Sequence, residues 1–246
     1  DATNPVNLNT FPAAMLADVN NDGRKELLIS PFDPSLTKGA NYTSNWMYEN
    51  TGTNQQPVFH LATKSFLQDE MLDFGSGAYP VFMDYNNDGL TDILVGNYGY
   101  SDTCVFTPTN GLSCSFTSKL ALLLNIGTSN NPKFRLAEWN IAGLDALQMQ
   151  SLIPSVADMD GDGDLDLVCG NAKGKLVYCE NVAPPNQPAD FRLVDPAWFS
   201  VDEVYFFFFH LFDVDYDGLT DLFCGKRDGT LSYYRNTGTK NIPQLT

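Results

Sequence analysis

Basic residues and histidines are scarce in this chain of 246 residues, and each shortage excludes a class of protein. Only 14 Lys and Arg oppose 30 Asp and Glu, so the formal net charge is -16, and nucleic acids and anionic membranes would be repelled on average. No apolar run is long enough to span a bilayer, so we expect no membrane insertion. The two histidines, His60 and His210, have no nucleophile motif, P-loop or zinc spacing beside them. The sequence therefore predicts a non-catalytic segment, and it leaves open a catalytic domain elsewhere in a longer protein.

Cysteines are also few, and their odd number, five, leaves at least one unpaired within the chain. Cys104 and Cys114 flank a stretch rich in Thr, Pro, Asn and Gly, and we predict a disulfide between them, which is typical of exported proteins. Cys169 and Cys224 occupy the same place in two apolar strand patterns, where a free cysteine acts as a small core residue. The chain has neither an initiator Met nor a signal-peptide pattern, so we expect a mature or excised piece of a larger precursor.

Acidic residues, in contrast, are abundant and unevenly placed. Half of them lie in four loops that share oxygen-bearing side chains at positions 1, 3, 5 and 9 and a glycine at position 6. We call these loop 1 (18–26), loop 2 (84–92), loop 3 (158–166) and loop 4 (213–221). Like charges at alternate positions repel one another unless a cation neutralises them, whereas a merely solvated acidic surface would scatter its carboxylates.

Alternating oxygens followed by a glycine bend let a short loop wrap a hard cation that takes about six to eight oxygen ligands. This pattern favours Ca²⁺ over Mg²⁺, which demands octahedral geometry and keeps its waters. An EF-hand begins in the same way but closes with an acid at position 12 between two helices, whereas these loops have Ile29, Val95, Cys169 and Cys224 there, between β-patterns. The sequence predicts up to four Ca²⁺ ions, one per loop. In order along each loop, with the backbone carbonyl contributing at the fourth residue named, the predicted ligands are Asp18, Asn20, Asp22, Arg24 and Glu26; Asp84, Asn86, Asp88, Leu90 and Asp92; Asp158, Asp160, Asp162, Asp164 and Asp166; and Asp213, Asp215, Asp217, Leu219 and Asp221.

The loops recur at intervals of tens of residues, each within a set of four short strand patterns, which is typical of the blades of a β-propeller. We predict an all-β domain over 1–246 with four-stranded blades at about 11–70, 77–140, 151–200 and 204–246, and residues 1–10 as an outer strand that completes a blade. A β-sandwich is the alternative. Because propellers usually have more than four blades, we expect this to be part of a larger one, for which seven blades is one arrangement. The best helical candidate is the short segment 144–150.

The loops DMDGDGDLD (158–166) and DVDYDGLTD (213–221) resemble those of the FG-GAP/VCBS repeat family, the integrin-α-like calcium-binding propellers. The turns that begin at Asn125 and Asn236 are similar to those of bacterial secreted members, which are frequently exported by the type IX route. The resemblance covers nearly the whole chain and implies calcium in the loop between the first two strands of each blade. Asn20, Asn86 and Glu26 depart from the all-aspartate pattern. The longer Glu26 side chain could still reach the ion, and we expect calcium in those loops as well.

If each blade runs outward from the axis, long connections between strands 2 and 3, at 30–44 and 97–118, lie on the face opposite the calcium loops. They carry aromatic residues suited to contacts with a partner, although these side chains could instead pack their own loops. The aromatic residues are Phe32, Tyr42, Tyr98, Tyr100 and Phe106. We predict a secreted or cell-surface module that binds a protein or glycan, or other domains of its precursor, on that face. A lectin-like or carbohydrate-processing scaffold and a passive spacer are the alternatives. Residues 41–43 form a glycosylation sequon.

Overall fold

The computed structural model describes residues 13–30, 45–67, 71–108, 111–200, 208–226, 228–240 and 242–246. Nearly all of its regular structure is β, which confirms the predicted all-β fold. The chain divides into two compact units: residues 1–73 with 103–114, and residues 74–102 with 115–246. No helix among the described residues is both long and apolar enough to cross a bilayer. Phe32, Tyr42, the sequon and the proposed outer strand at 1–10 lie outside the described residues.

The first unit holds blade 1, an antiparallel sheet in the order β1-β2-β3-β4. Its strands are β1 (Ala13–Ala17), β2 (Glu26–Ser30), β3 (Trp46–Asn50) and β4 (Phe59–Thr63). Ile29 and Tyr48 are buried on the same face of this sheet, because Leu27 pairs with Tyr48 and residues two apart in a strand share a face.

Blade 2 belongs to the second unit and has the order β10-β9-β6-β5. The connection from β6 to β9, which the sequence predicted as a long loop, instead contains an antiparallel hairpin of two strands, β7 and β8. The predicted disulfide between Cys104 and Cys114 joins these two strands. In chain order the strands are β5 (Tyr79–Met83), β6 (Asp92–Gly96), β7 (Tyr100–Thr107), β8 (Gly111–Thr117), β9 (Ala121–Asn125) and β10 (Phe134–Glu138).

Blade 3 is a four-stranded sheet with the order β11-β12-β13-β14, and blade 4 has three described strands with the order β15-β16-β17. After β17, the backbones of Arg235 and Thr246 exchange two hydrogen bonds, so the last residue lies beside the end of this strand. The strands of blade 3 are β11 (Ile153–Ala157), β12 (Asp166–Gly170), β13 (Lys175–Asn181) and β14 (Phe191–Ser200). Those of blade 4 are β15 (Phe208–Phe212), β16 (Asp221–Gly225) and β17 (Leu231–Tyr234).

Within the second unit, the blades stack face to face, and β11 lies between β5 and β15. We call the face that a blade turns toward the next blade its forward face, and the opposite face its rear face. One apolar core joins the forward face of blade 2 (Met83, Leu94, Leu122) to the rear face of blade 3 (Leu167, Cys169, Val177, Cys179). A second joins the forward face of blade 3 (Ile153, Ala157, Val168, Leu176) to the rear face of blade 4 (Phe209, Leu211, Leu222, Cys224). Cys169 and Cys224 are fully buried free thiols, as the sequence predicted.

The helical segment between blades 2 and 3 is a 3₁₀ helix, Ile141–Leu147, which begins and ends earlier than the predicted 144–150. Ala142 and Gly143 within it have φ values of 59° and 61°, so a regular α-helix cannot continue through them. Ile141 and Leu144 are buried in the core that blades 2 and 3 share, and this packing places the segment where sequence periodicity alone did not.

Candidate metal centres

Each acidic loop joins the first two strands of its blade, as the sequence predicted. Position 1 directly follows the first strand, and position 9 is the first residue of the second strand. The loops thus connect β1 to β2, β5 to β6, β11 to β12 and β15 to β16. The same spacing therefore has the same structural context in all four blades.

The four loops also fold in the same way, because the carboxylate at position 1 accepts a hydrogen bond from the backbone N–H of the glycine at position 6. In loop 4, Gly218 N lies 2.9 Å from Asp213 Oδ2, and Gly218 has a φ of 85°. Position 4 is also left-handed in every loop, at Asn21, Asn87, Gly161 and Tyr216. Glycine relieves the strain of such a backbone, which explains its presence at position 6.

Carboxylates converge most closely in loops 3 and 4. Oxygens of Asp158, Asp160 and Asp166 lie within 4.8 Å of one another, and so do oxygens of Asp213, Asp215 and Asp221. These residues are positions 1, 3 and 9 of the two loops. Loops 1 and 2 have Asn20 and Asn86 at position 3, which supply an amide oxygen in place of the third carboxylate. The donor set in all four loops consists of oxygens, which suits a calcium ion.

The acid at position 9 is buried in every loop, with at most 1% of its surface exposed. In loop 3, Asp166 Oδ2 accepts from Met159 N at 2.9 Å and Asp166 Oδ1 accepts from Asn181 N at 2.8 Å. Asp92 and Asp221 make the equivalent pairs of bonds. Each of these aspartates therefore connects its loop to the end of the third strand, a role beyond the ligand role that its spacing suggested.

An asparagine at or just after the end of the third strand adds further hydrogen bonds to this connection. Asn236 Oδ1 accepts from Gly238 N at 3.1 Å and from Gln244 N at 3.0 Å, so it holds the turn that follows the strand. Asn50, Asn125 and Asn181 make corresponding pairs of bonds. These turns are visible in the sequence, whereas the role of the asparagine follows from the structure, although its recurrence after each loop is a signal for it.

Loop 1 differs at position 9, where Glu26 replaces aspartate. Glu26 Oε2 accepts from Val19 N at 3.0 Å, but the buried Oε1 has no hydrogen-bond partner. A buried carboxylate oxygen without a partner is costly, and a cation in the loop would supply one. Asp164 Oδ1 in loop 3 is a second orphaned oxygen of this kind. The residues present therefore fit a bound calcium ion.

The charges around the acidic side chains also differ between the loops. Burial raises the pKa of Asp166 to about 6, and burial together with the charges of Asp162, Asp160 and Asp158 raises the pKa of Asp164. Loop 3 takes part in none of the ion pairs between described residues that could offset this crowding.

Loops 1 and 4, in contrast, each hold a guanidinium. Arg24 NH2 lies 2.6 Å from Asp22 Oδ2, and its hydrogen bonds lower the pKa of Asp22. Arg235 NH2 lies 2.7 Å from Asp215 Oδ2 and 2.9 Å from Asp217 Oδ2, and its hydrogen bond lowers the pKa of Asp217.

The described aromatic residues of the predicted partner-binding face differ from one another in their contacts and exposure. Tyr98 packs edge to face on Phe116, with ring centroids 5.2 Å apart, and its hydroxyl lies 2.6 Å from Gln150 Nε2, which donates to it. Lys119 Nζ lies 5.5 Å from the ring centroid of Tyr100. Tyr98 therefore packs on Phe116 of its own connection, whereas Phe106 on β7 is 73% exposed. His60 and His210 are exposed on β4 and β15.

This chain matches a protein-family model and is distantly similar to solved structures. Among these, a structure of a lectin from Agrocybe aegerita, studied for its recognition of non-reducing terminal N-acetylglucosamine, aligns with 97% of this chain and 53% of its own at 16% identity, with a TM-score of 0.42. This chain spans about half the length of that lectin. No curated protein matches. The FG-GAP-like repeat family matches residues 18–95 and 84–169, which together make more than half of the chain. The chain belongs to the FG-GAP-like repeat family.

Proposed function

We propose that this chain is a calcium-stabilised, non-catalytic binding module of a secreted or cell-surface protein. The observation that carries the calcium proposal is the repeated loop, whose carboxylates converge in loops 3 and 4 and whose buried Glu26 Oε1 in loop 1 lacks a hydrogen-bond partner. Half of the acidic residues of a strongly acidic chain lie in these loops, so bound cations would also relieve the largest local concentrations of charge.

Calcium in this setting would be structural. The side chains at positions 1, 3, 5 and 9 and the carbonyl at position 7 would hold the ion, and together they belong to the end of one strand and the start of the next. An unfolded chain does not present these oxygens together, so the free energy of calcium binding becomes free energy of folding. At a free Ca²⁺ concentration 100 times the Kd, one such site would add about 2.7 kcal/mol to the free energy of unfolding.

The test is thermal unfolding with and without calcium. We expect excess chelator to lower the Tm markedly and added Ca²⁺ to restore it. D158N, which removes a position 1 carboxylate, should reduce the number of bound ions and the gain in Tm. D190N is the matched control, since Asp190 pairs with Arg192 at an exposed site outside the loops. An unchanged Tm in excess chelator would contradict the calcium proposal.

For the binding function, the β6 to β9 connection is the best supported contact region. It leaves blade 2 at the end opposite loop 2, and its hairpin presents Val105 and Phe106 at 55% and 73% exposure. The Cys104–Cys114 disulfide staples the hairpin, which reduces the entropy lost when it binds a partner. A disulfide of this kind also supports export to an oxidising compartment.

Binding is tested with a glycan array and with capture from extracellular protein fractions, each comparing the parent chain with F106S. I126S is the control, because Ile126 is similarly exposed, at 58%, but follows β9. We expect a ligand, protein or glycan, that F106S loses and I126S retains. A ligand bound equally by both variants would place recognition elsewhere, and the absence of any ligand would favour a spacer. The bacterial type IX route, and other precursor domains as partners, remain predictions.

A further inference from the structure

The side chain of Asn54 bonds to two consecutive peptide groups of loop 1. Asn54 Oδ1 accepts from Lys25 N at 2.8 Å, and Asn54 Nδ2 donates to Gly23 O at 2.9 Å. Asn54 lies in the turn between β3 and β4, so the two bonds join that turn to the loop. They lie on either side of Arg24, whose carbonyl is the predicted calcium ligand at position 7.

These two bonds fix the direction of the Arg24 carbonyl. A trans peptide group is planar, and its C=O and N–H point in opposite directions. Because Lys25 N–H points to Asn54, the Arg24 C=O of the same peptide points away from it. By the same reasoning Arg24 N–H points away from Asn54, and it donates to Asp22 Oδ1 at 2.8 Å. The backbone of Arg24 therefore has its free carbonyl turned away from Asn54, and its N–H bonds to another predicted ligand.

The equivalent turns of blades 2 and 4 lack this amide. They carry Ser129 and Lys240 at the place of Asn54. In all three turns the preceding threonine donates its N–H to the carbonyl three residues later, so the turns have the same backbone frame. Lys240 has no acceptor, and Ser129 carries its donor and acceptor on one atom. Neither side chain offers the separate donor and acceptor with which Asn54 bridges two peptides.

Loop 1 also differs in how its position 9 acid is bonded. In loops 2, 3 and 4 the position 9 aspartate accepts from one N–H of its loop and from one at the end of the third strand. Glu26 Oε2 accepts from Val19 N, but the buried Oε1 has no hydrogen-bond partner. Asn54 thus joins loop 1 to the turn after the third strand, while Glu26 keeps an unpartnered oxygen for a cation.

We propose that Asn54 is a positioning residue of loop 1, which holds the Arg24 carbonyl in place for calcium and so raises the affinity of this loop for Ca²⁺. This role rests on the proposed calcium binding. A ligand that is fixed before the ion arrives loses less conformational entropy on binding, and affinity rises accordingly. The bridge occurs in the loop whose ligand set departs furthest from four aspartates, with Asn20 at position 3 and Glu26 at position 9.

An NMR titration with Ca²⁺ of the chain labelled isotopically at glycine tests this role loop by loop. Gly23 N–H and Gly89 N–H each donate to the position 1 carboxylate of loops 1 and 2, so their signals report the two loops separately. We expect N54A to raise the Kd of loop 1 by about threefold to tenfold and to leave loop 2 unchanged, since two exposed hydrogen bonds are lost. Q55A, at the exposed neighbouring residue, is the control and should change neither Kd.

The converse variant is S129N, which places the amide in the equivalent turn of blade 2 and should lower the Kd of loop 2 by a similar factor. It also tests the role if N54A does not fold. A purely structural role predicts a lower Tm of N54A in chelator with an unchanged Kd of loop 1, and that result would overturn the positioning role, as would S129N with an unchanged Kd of loop 2. A parent chain that binds no Ca²⁺ would instead overturn the proposed function itself.

Discussion

Loops 3 and 4 have matching backbone hydrogen bonds and equivalent clusters of three carboxylates, yet their charges are neutralised differently. Arg235 reaches Asp215 and Asp217 in loop 4, while loop 3 has an additional aspartate, Asp164, and takes part in no described ion pair. The same loop pattern can therefore occur with or without a counter-charge among its carboxylates. We expect loop 3 to gain more from a bound cation than loop 4, where calcium would compete with the Arg235 guanidinium for the same carboxylates.

The largest expected effect tests what the loops share. D166A and D221A each remove a buried carboxylate that accepts hydrogen bonds from two backbone N–H groups, one in its own loop and one at or just after the end of the third strand. Leaving buried donors without partners should lower the free energy of unfolding by about 2–4 kcal/mol in either blade. Urea unfolding in chelator measures the change without the contribution of calcium. If only one of the two variants lost little free energy of unfolding, the position 9 aspartate would not stabilise the two blades equally.

A prediction of intermediate size concerns Arg235, which pairs with carboxylates of loop 4 and has no counterpart among the described ion pairs of loop 3. R235Q removes the guanidinium next to Asp215 and Asp217, so loop 4 should bind Ca²⁺ more tightly while the metal-free protein loses stability. Calorimetric titration with Ca²⁺ and melting in chelator measure the two changes. R192Q is the control, since Arg192 pairs with Asp190 outside the loops and its removal should change neither quantity. Unchanged calcium binding in R235Q would show that the arginine does not compete.

The smallest effect concerns repulsion within loop 3. D164N removes a charge whose pKa is raised by burial and by Asp162, Asp160 and Asp158, so it should slightly raise the Tm in chelator. D217N in loop 4 should not raise the Tm, because Asp217 loses a hydrogen-bonded ion pair with Arg235. Scanning calorimetry of both variants in chelator resolves the sign. The same sign for both would remove the proposed difference between the loops.

Much of the fold followed from local sequence. Loop spacing placed all four acidic loops between the first two strands of their sheets, because the carboxylates accept hydrogen bonds from backbone N–H groups two or five residues later. Short apolar and β-rich runs located the strands, and flanking cysteines predicted the disulfide. The hairpin at β7 and β8 was missed because its Thr and Ser alternation lacks a strong apolar pattern, and the 3₁₀ segment was misplaced because its position depends on the core it covers.

Sequence by itself determined the acidic-loop pattern and the all-β class, since the loops depend on contacts within a few residues and the class on short apolar runs between turns. Tertiary structure decided which loop carries a counter-charge, since Arg235 lies 18 residues after Asp217 and reaches it only through strand pairing. It also decided that the aspartate at position 9 accepts a hydrogen bond from the backbone N–H of an asparagine at or just after the end of the third strand. These properties depend on strand register, which joins residues that are distant along the chain.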